Sequence, residues 1–219
     1  MCCLEAHRTM NLPGLTSNSL PQRIESAAAA TRLPTLKQSL CYGSVGFGLA
    51  SIAVFVIVGC GRPWMYRYLG ALGPYLVATV LFIVLAGGIL SRLVAGPGRL
   101  LHFYLLFGVA FFSYAAGWVI AYLALRNLLG ELLGSITGSC LLALVLAAAF
   151  KVGNSLPKLI PVLFLASSVG YFLGRLLHVA ISGTVGMILF GAAYGLGFGA
   201  GLGYALFLVQ EPVGRRLER

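Results

Sequence analysis

Residues 184–209 read TVGMILFGAAYGLGFGAGLGYALFLV, an apolar run without a charged side chain. A stretch of about 20 apolar residues is long enough to cross the hydrocarbon core of a bilayer as an α-helix. Glycines recur at every fourth position of this run, and residues four apart stack on one face of a helix. Transmembrane helices use such small-xxx-small patterns where they pack closely. The stretch therefore predicts a membrane-spanning helix with a bare backbone ridge, a pattern known as a glycine zipper.

Two columns of small residues run along this predicted helix. Because each residue turns about 100° around the axis, the columns lie about 200° apart. We predict that the helix is sandwiched between two neighbours and that its glycines are packing residues. The predicted packing glycines are Gly191, Gly195, Gly199 and Gly203 in one column, and Gly197 and Gly201 in the other.

The composition of the whole chain indicates that lipid is its main solvent. The 219 residues are 59% hydrophobic and only 9% charged, whereas a soluble domain carries roughly 25% charged residues. We therefore predict an all-α protein, a polytopic membrane protein with a bundle of six transmembrane helices. Besides the glycine-rich run, the apolar runs lie near residues 40–60, 72–95, 101–125, 131–150 and 158–178. The predicted domains are a polar basic N-terminal segment at 1–37, the bundle at 38–210 and a short basic tail at 211–219.

Lysine and arginine are distributed unequally between the two sides of the predicted bundle. Counting on alternate sides places eleven of the 15 basic residues together with the two termini. Because cytoplasmic loops carry the excess of Lys and Arg, we expect both termini to be cytoplasmic, in a bacterial inner membrane or an equivalent membrane. The net charge of +10 then reflects anchoring, and we expect no nucleic-acid partner. The first connection is predicted at 61–69, where arginines and aromatic residues suit the headgroup zone.

A shift of 83 residues aligns the second and third predicted helices with the fifth and sixth. Arg92 then meets Arg175, and Phe107-Gly108 meets Phe190-Gly191. These matches suggest a 3+3 duplication, whose halves would be inverted because each holds an odd number of helices. Inverted repeats are a common construction in transporters. Chance matching in a chain rich in Leu, Gly and Ala is the alternative.

Few ionisable residues lie within the predicted helices. Aspartate is absent from the chain, and Glu131 begins the fourth helix while Arg175 lies inside the fifth. Buried ionisable groups in lipid usually mark function, so both residues are candidate substrate-binding residues at a gate or recognition point, together with Tyr171 and Tyr194. Glu131 has Arg175 or Arg126 as a candidate partner. Snorkelling to the interface is the alternative for Arg175.

The same scarcity of ionisable residues argues against catalysis. Metal-dependent chemistry needs clustered acidic ligands, which the sequence lacks, so we expect no enzyme, no catalytic residues and no metal site. A serine protease would need a histidine opposite Ser135 or Ser139, and the last helix has none. His102 and His178 fall near opposite faces of the bundle, so they cannot share one haem. A haem or chlorophyll bound from one side by either histidine is the alternative to an interfacial histidine, and we expect no cofactor. The cysteines are expected to be free thiols.

Two hypotheses of function remain. The first is a small transporter or channel-like module for an uncharged or weakly polar solute. The second is a non-catalytic scaffold subunit of a larger membrane complex. The lipid bilayer is the expected partner in both, with further copies of the chain or other membrane subunits as candidates. A central cavity lined by Arg175, Tyr171 and Tyr194 would favour transport, whereas a solid core with apolar grooves outside would favour the scaffold.

Overall fold

Six long helices make up the described part of the chain. The computed structural model describes residues 34–94 and 99–217, and six helices in these ranges are long and apolar enough to cross a membrane. They are α1 (Leu36–Leu69), α2 (Gly73–Leu90), α3 (Arg99–Leu125), α4 (Leu128–Phe150), α5 (Leu156–Ile181) and α6 (Gly183–Leu217). The predictions of an all-α fold with six spans and of an integral, multi-pass membrane protein are confirmed.

Local sequence explains where several helices begin and end. The hydroxyl of Thr35 accepts a hydrogen bond from the Gln38 backbone N–H at 3.3 Å, and the Gln38 side chain accepts one from the Thr35 N–H at 3.0 Å. This reciprocal pair satisfies amides that the first turn of α1 leaves free. Asn127 begins α4 by accepting from the Gly130 N–H at 2.9 Å. Gly70 ends α1 at a φ of 68°, which glycine adopts without steric cost.

The predicted connection at 61–69 is wrong, because these residues continue α1. The helix runs through Pro63 to Leu69 and holds 34 residues. At 1.5 Å per residue it is about 51 Å long, which exceeds the ~30 Å hydrocarbon core. The exposed Trp64 and Tyr68 rings are typical of the headgroup zone, which indicates that the last turns of α1 are the part that extends beyond the hydrocarbon. At the other end of the chain, α6 continues to Leu217 within the predicted tail.

Part of the sequence prediction falls outside the described residues. Most of the basic N-terminal segment at 1–37 lies there, including Cys2 and Cys3, as do the last two residues of the tail at 211–219. Within the described ranges, the free thiols are those of Cys41, Cys60 and Cys140.

The helices pack as a closed ring in chain order. Each helix contacts the next one along the chain, and α6 closes the ring on α1. The contacts of α6 with α1 and α5, and those of α3 with α4, are the most extensive. In contrast, α2 packs more loosely against α1 and α3, and α4 packs loosely against α5. The bundle thus consists of a three-helix group (α5, α6 and α1) and a two-helix group (α3 and α4), which α2 joins on one side.

The ring order gives no support to an inverted repeat. Viewed along the membrane normal, the first three and the last three helices of this ring follow one another in the same rotational direction. Two halves related by a two-fold axis in the membrane plane would follow one another in opposite directions. The packing is also unequal, because α5 contacts α6 extensively while its counterpart α2 contacts α3 only loosely. The 3+3 duplication stays a prediction from sequence matches alone.

Close backbone contacts distinguish the extensive interfaces. A Cβ atom at Gly199 would overlap the carbonyl oxygen of Gly43 on α1 and would lie 2.8 Å from the Cβ of Phe47. On the opposite side of α6, a Cβ atom at Gly197 would lie 2.9 Å from the Cα of Gly170 on α5. The other predicted packing glycines divide in the same way: Gly191, Gly195 and Gly203 face α1, and Gly201 faces α5. The two columns of α6 therefore face two different neighbours.

A further glycine column, which the sequence analysis missed, faces α3 from α4. A Cβ atom at Gly134 would lie 2.9 Å from the carbonyl oxygen of Trp118, and one at Gly138 would lie 2.8 Å from that of Tyr114. Gly130 adds one more turn to this column. The signal was present in the sequence, because these three glycines also recur at every fourth residue.

Replacing Gly199 by alanine should lower stability, because the new methyl group has no room between α6 and α1. Overpacking of this kind costs about 1–3 kcal/mol. Gly108→Ala on α3 is the matched control, since its Cβ atom would meet only the Ile83 Cγ2 at 3.7 Å. Alanine is also a better helix former than glycine, by up to about 1 kcal/mol. Thermal unfolding of the two variants in detergent checks the difference. Equal losses at both positions would contradict the close-contact interpretation.

Candidate functional site

A cavity of about 390 Å³ lies in one half of the bundle. Its walls come from the C-terminal halves of α1 and α3, the N-terminal halves of α2 and α6, and one residue of α5. Because consecutive helices run in opposite directions, all of these segments lie toward the end where α1 joins α2 and α5 joins α6. We call this space the aromatic cavity. Under the predicted orientation it faces away from the cytoplasm.

Aromatic side chains dominate the lining of the aromatic cavity. Eleven of the twenty lining residues are aromatic, and six of these are tyrosines. Trp118 stacks on Tyr122 with ring centroids 5.2 Å apart, and it meets Tyr171 edge to face at 5.5 Å. The tyrosine hydroxyls add scattered polar groups to otherwise apolar walls. Such a lining suits a ligand with flat apolar faces and a small number of polar groups.

Among the described residues that line the cavity, one is charged, and it is Arg62. It is exposed and lies two turns before the end of α1, so it sits at the mouth. Its guanidinium carbon lies 5.5 Å from the ring centroid of Tyr66, a cation–π geometry. Thr79, also in the lining, donates its hydroxyl to the Tyr75 carbonyl oxygen of its own helix at 2.8 Å. The charge of the cavity is therefore that of one cation at its mouth.

Packed aromatic rings close the deep end of the cavity. Phe47 stacks on Phe82 with centroids 5.0 Å apart, and Phe82 lies 5.3 Å from Phe111. Beside them Tyr114 stacks on Phe198 at 4.7 Å. Beyond this layer, toward the other end of the bundle, the core continues with buried aliphatic and phenylalanine side chains. The cavity consequently reaches one end of the bundle and is blind at the other.

The structure brings only two of the four predicted substrate-binding residues to this cavity. Tyr171 and Tyr194 line it, whereas Glu131 and Arg175 do not. Those two residues form an ion pair between α4 and α5, in which the Arg175 Nη1 donates to the Glu131 Oε2 at 2.6 Å. The Arg175 side chain is 45% exposed and that of Glu131 only 10%. Of the two candidate partners of Glu131, the structure therefore pairs it with Arg175 and not with Arg126.

Polar side chains continue from this ion pair along the α4–α5 interface. They share a four-residue spacing: Glu131, Ser135 and Ser139 on α4, and Ser167, Tyr171 and Arg175 on α5. In the antiparallel pairing of α4 with α5, Glu131 is matched with Arg175, Ser135 with Tyr171 and Ser139 with Ser167. The hydroxyl oxygens of Ser139 and Ser167 lie 3.4 Å apart, while the buried Ser135 hydroxyl has no partner among the described residues. We call this interface the polar seam. Tyr171 belongs to both the polar seam and the aromatic cavity.

The two histidines of the predicted bundle lie at its opposite ends. His102 is in the first turn of α3 and His178 in the last turn of α5. Because both helices run in the same direction, these residues cannot ligate one haem within a single chain. Within residues 34–94 and 99–217, no three His, Cys, Asp or Glu side chains gather as a metal site would require.

Comparison with known proteins assigns no family to this arrangement. No family model, curated protein or solved structure matches the chain. The function therefore has to follow from the aromatic cavity, the polar seam and the helix packing around them.

Replacing Arg175 by leucine should destabilise the α4–α5 interface, because Glu131 would keep a largely buried charge without a partner. Polar contacts between helices in lipid contribute about 1 kcal/mol, and we expect a loss of that order in thermal unfolding. The charge-swapped double variant Glu131→Arg with Arg175→Glu is the control. It should recover only part of the loss, since the N-terminal end of α4 favours a negative charge. A fully stable Arg175→Leu variant would show that the ion pair is only interfacial snorkelling.

Proposed function

We propose that the protein binds a small, weakly polar solute in the aromatic cavity as the first step of moving it across the membrane. The cavity itself is the observation that carries this proposal. Its volume of about 390 Å³ lies in the range of small-molecule sites, and apolar walls with few polar groups are typical of such sites. A subunit that acts only as a scaffold has no need of an internal cavity of this kind.

The packing of the helices supports movement of a bound solute. The aromatic cavity lies between the three-helix group, which supplies α1 and α6, and the two-helix group, which supplies α3. Transporters expose a central site to each side in turn when one packed group rocks against another. Here the loosely packed α2 and the polar seam are the two junctions between the groups. We assign the glycine zipper of α6 to keeping the three-helix group rigid during this motion.

The ion pair has a different role in this proposal from the solute contact that the sequence suggested. Glu131 and Arg175 lie outside the cavity lining but join the two groups at the polar seam. Breaking and reforming one ion pair costs little compared with separating two glycine-lined helices. We therefore assign Glu131 and Arg175 to holding the closed junction, and Tyr171 and Tyr194 to contact with the solute.

Tryptophan fluorescence can report directly on solute binding. The chain has two tryptophans, of which Trp118 lines the cavity and Trp64 is 58% exposed on the last turns of α1. In a Trp64→Phe variant, Trp118 is the sole tryptophan. Titration of this variant with small aromatic solutes should give saturable changes in emission, because a solute in the cavity contacts the indole ring.

A pair of variants on α2 separates binding in the cavity from binding elsewhere. Ala78 lines the cavity, so Ala78→Phe should fill it and abolish the saturable change. Val80 is 59% exposed on the same helix, so Val80→Phe should leave binding intact. If no solute changes the emission of folded protein, or if both variants lose binding equally, the proposal fails. Purification with fixed companion subunits would then favour the scaffold.

The predicted orientation has its own test in reporter fusions. We expect alkaline phosphatase fused after Arg219 to be inactive in a bacterial host and green fluorescent protein at the same place to be fluorescent, because the basic side of the bundle stays in the cytoplasm. Fusions within the connection between α3 and α4, after Arg126, should give the reverse result. A phosphatase active only after Arg219 would invert the orientation.

A further inference from the structure

Arg62 places a cation beside a cavity that otherwise carries no charged lining residue among the described residues. Glu131, the described acidic residue in this half of the bundle, is already paired with Arg175. Arg62 therefore has no carboxylate partner among the described residues. Its guanidinium group lies over the face of the Tyr66 ring, which is not an acidic group. A guanidinium has five N–H donors and stays charged at all physiological pH values. The mouth of the cavity is thus prepared for an acceptor that carries negative charge.

The geometry of the guanidinium group favours a carboxylate over other acceptors. Arg62 itself is exposed to water, which weakens its attraction for an anion, but arginine binds a carboxylate through two parallel hydrogen bonds. A cationic solute would be repelled at the same place. The sign of the charge at the mouth therefore selects among solutes that fit the aromatic walls equally well.

The dimensions of the cavity suit a solute with an aromatic body below its polar end. Phe55 lies seven residues before Arg62 on α1, which is about 10 Å deeper along the helix axis. There its ring packs against that of Phe190 with centroids 4.6 Å apart. A solute about 10 Å long could place one end at Arg62 and its rings among Phe55, Trp118 and Tyr171.

We propose that the solute is an aromatic weak acid, and that Arg62 binds its carboxylate at the mouth of the aromatic cavity. This inference rests on the proposed function and changes its solute from a weakly polar compound to a charged one, the carboxylate of an aromatic acid. Arg62 is then the residue that determines specificity, while the aromatic walls supply most of the contact area.

Two matched probes test this inference in the Trp64→Phe protein. 4-Biphenylacetate and 4-biphenylacetamide have nearly the same shape, but only the first carries a negative charge at pH 7. Both are titrated against Trp118 emission in the same neutral lipid, and each affinity is expressed against the free aqueous concentration of the probe, because the amide partitions into lipid more than the carboxylate does. We expect the acid to bind at least tenfold more tightly than the amide.

Two arginine variants locate the source of this preference. Arg62→Gln should weaken binding of the acid at least tenfold and leave binding of the amide unchanged. Arg67→Gln is the matched control, because Arg67 lies five residues further along α1 and contacts the Tyr68 ring, with its guanidinium carbon 5.8 Å from the centroid. It does not line the cavity, so both probes should bind this variant as they bind the parent protein.

The outcomes separate this inference from the proposed function. Equal affinities for the two probes overturn the inference and leave the proposed function standing. A preference for the acid that survives Arg62→Gln also overturns it, since another group must then bind the carboxylate. If neither probe nor any solute of the wider screen changes Trp118 emission in folded protein, the proposed function itself fails.

Discussion

Direct contact between helix backbones at glycine is the constraint on which this structure depends. In a bilayer, apolar side chains gain little by leaving lipid for each other, so helix association relies on close van der Waals packing and on polar contacts. The glycine columns bring α6 against α1 and α5, and α4 against α3, until main-chain atoms touch. These are also the most extensive interfaces of the bundle. The rest of the molecule follows from which helices are held in this way and which are not.

The aromatic cavity and the packing glycines are two consequences of the same arrangement. Tyr114 and Trp118 present their backbone carbonyls to the glycines of α4, while their side chains line the cavity. The glycines thus hold α3 at a fixed position and rotation, and that rotation directs large rings into the interior. Space remains because α2, on the other side of those rings, packs loosely. The polar seam occupies the second loose junction, where polar contacts replace backbone approach.

The sequence predicted the features that depend on one helix at a time. The lengths of the apolar runs predicted six spans, and the four-residue spacing of glycine predicted the columns of α6. The rise and the periodicity behind these predictions are properties of a single helix. The end of α1 was misplaced because Arg62 to Tyr68 has the composition of an interface, while nothing stops the helix before Gly70. The cavity could not be predicted, since its residues come from five helices whose relative rotation is set by packing. The Glu131–Arg175 pair lies between these cases, because the predicted topology places both residues toward the same side of the bundle but does not decide between Arg175 and Arg126 as the partner.

Distances between spin labels test most directly whether the three-helix and two-helix groups move as separate units. Nitroxides on a cysteine-free background can be placed at three exposed positions: Leu49 on α1, Leu165 on α5 and Val109 on α3. Double electron–electron resonance should give a narrow distribution between Leu49 and Leu165 that a bound solute does not change. The distribution between Leu165 and Val109 should be broader and should shift when solute binds. Equally broad distributions for both pairs, or a solute-dependent shift within the three-helix group, would contradict the account.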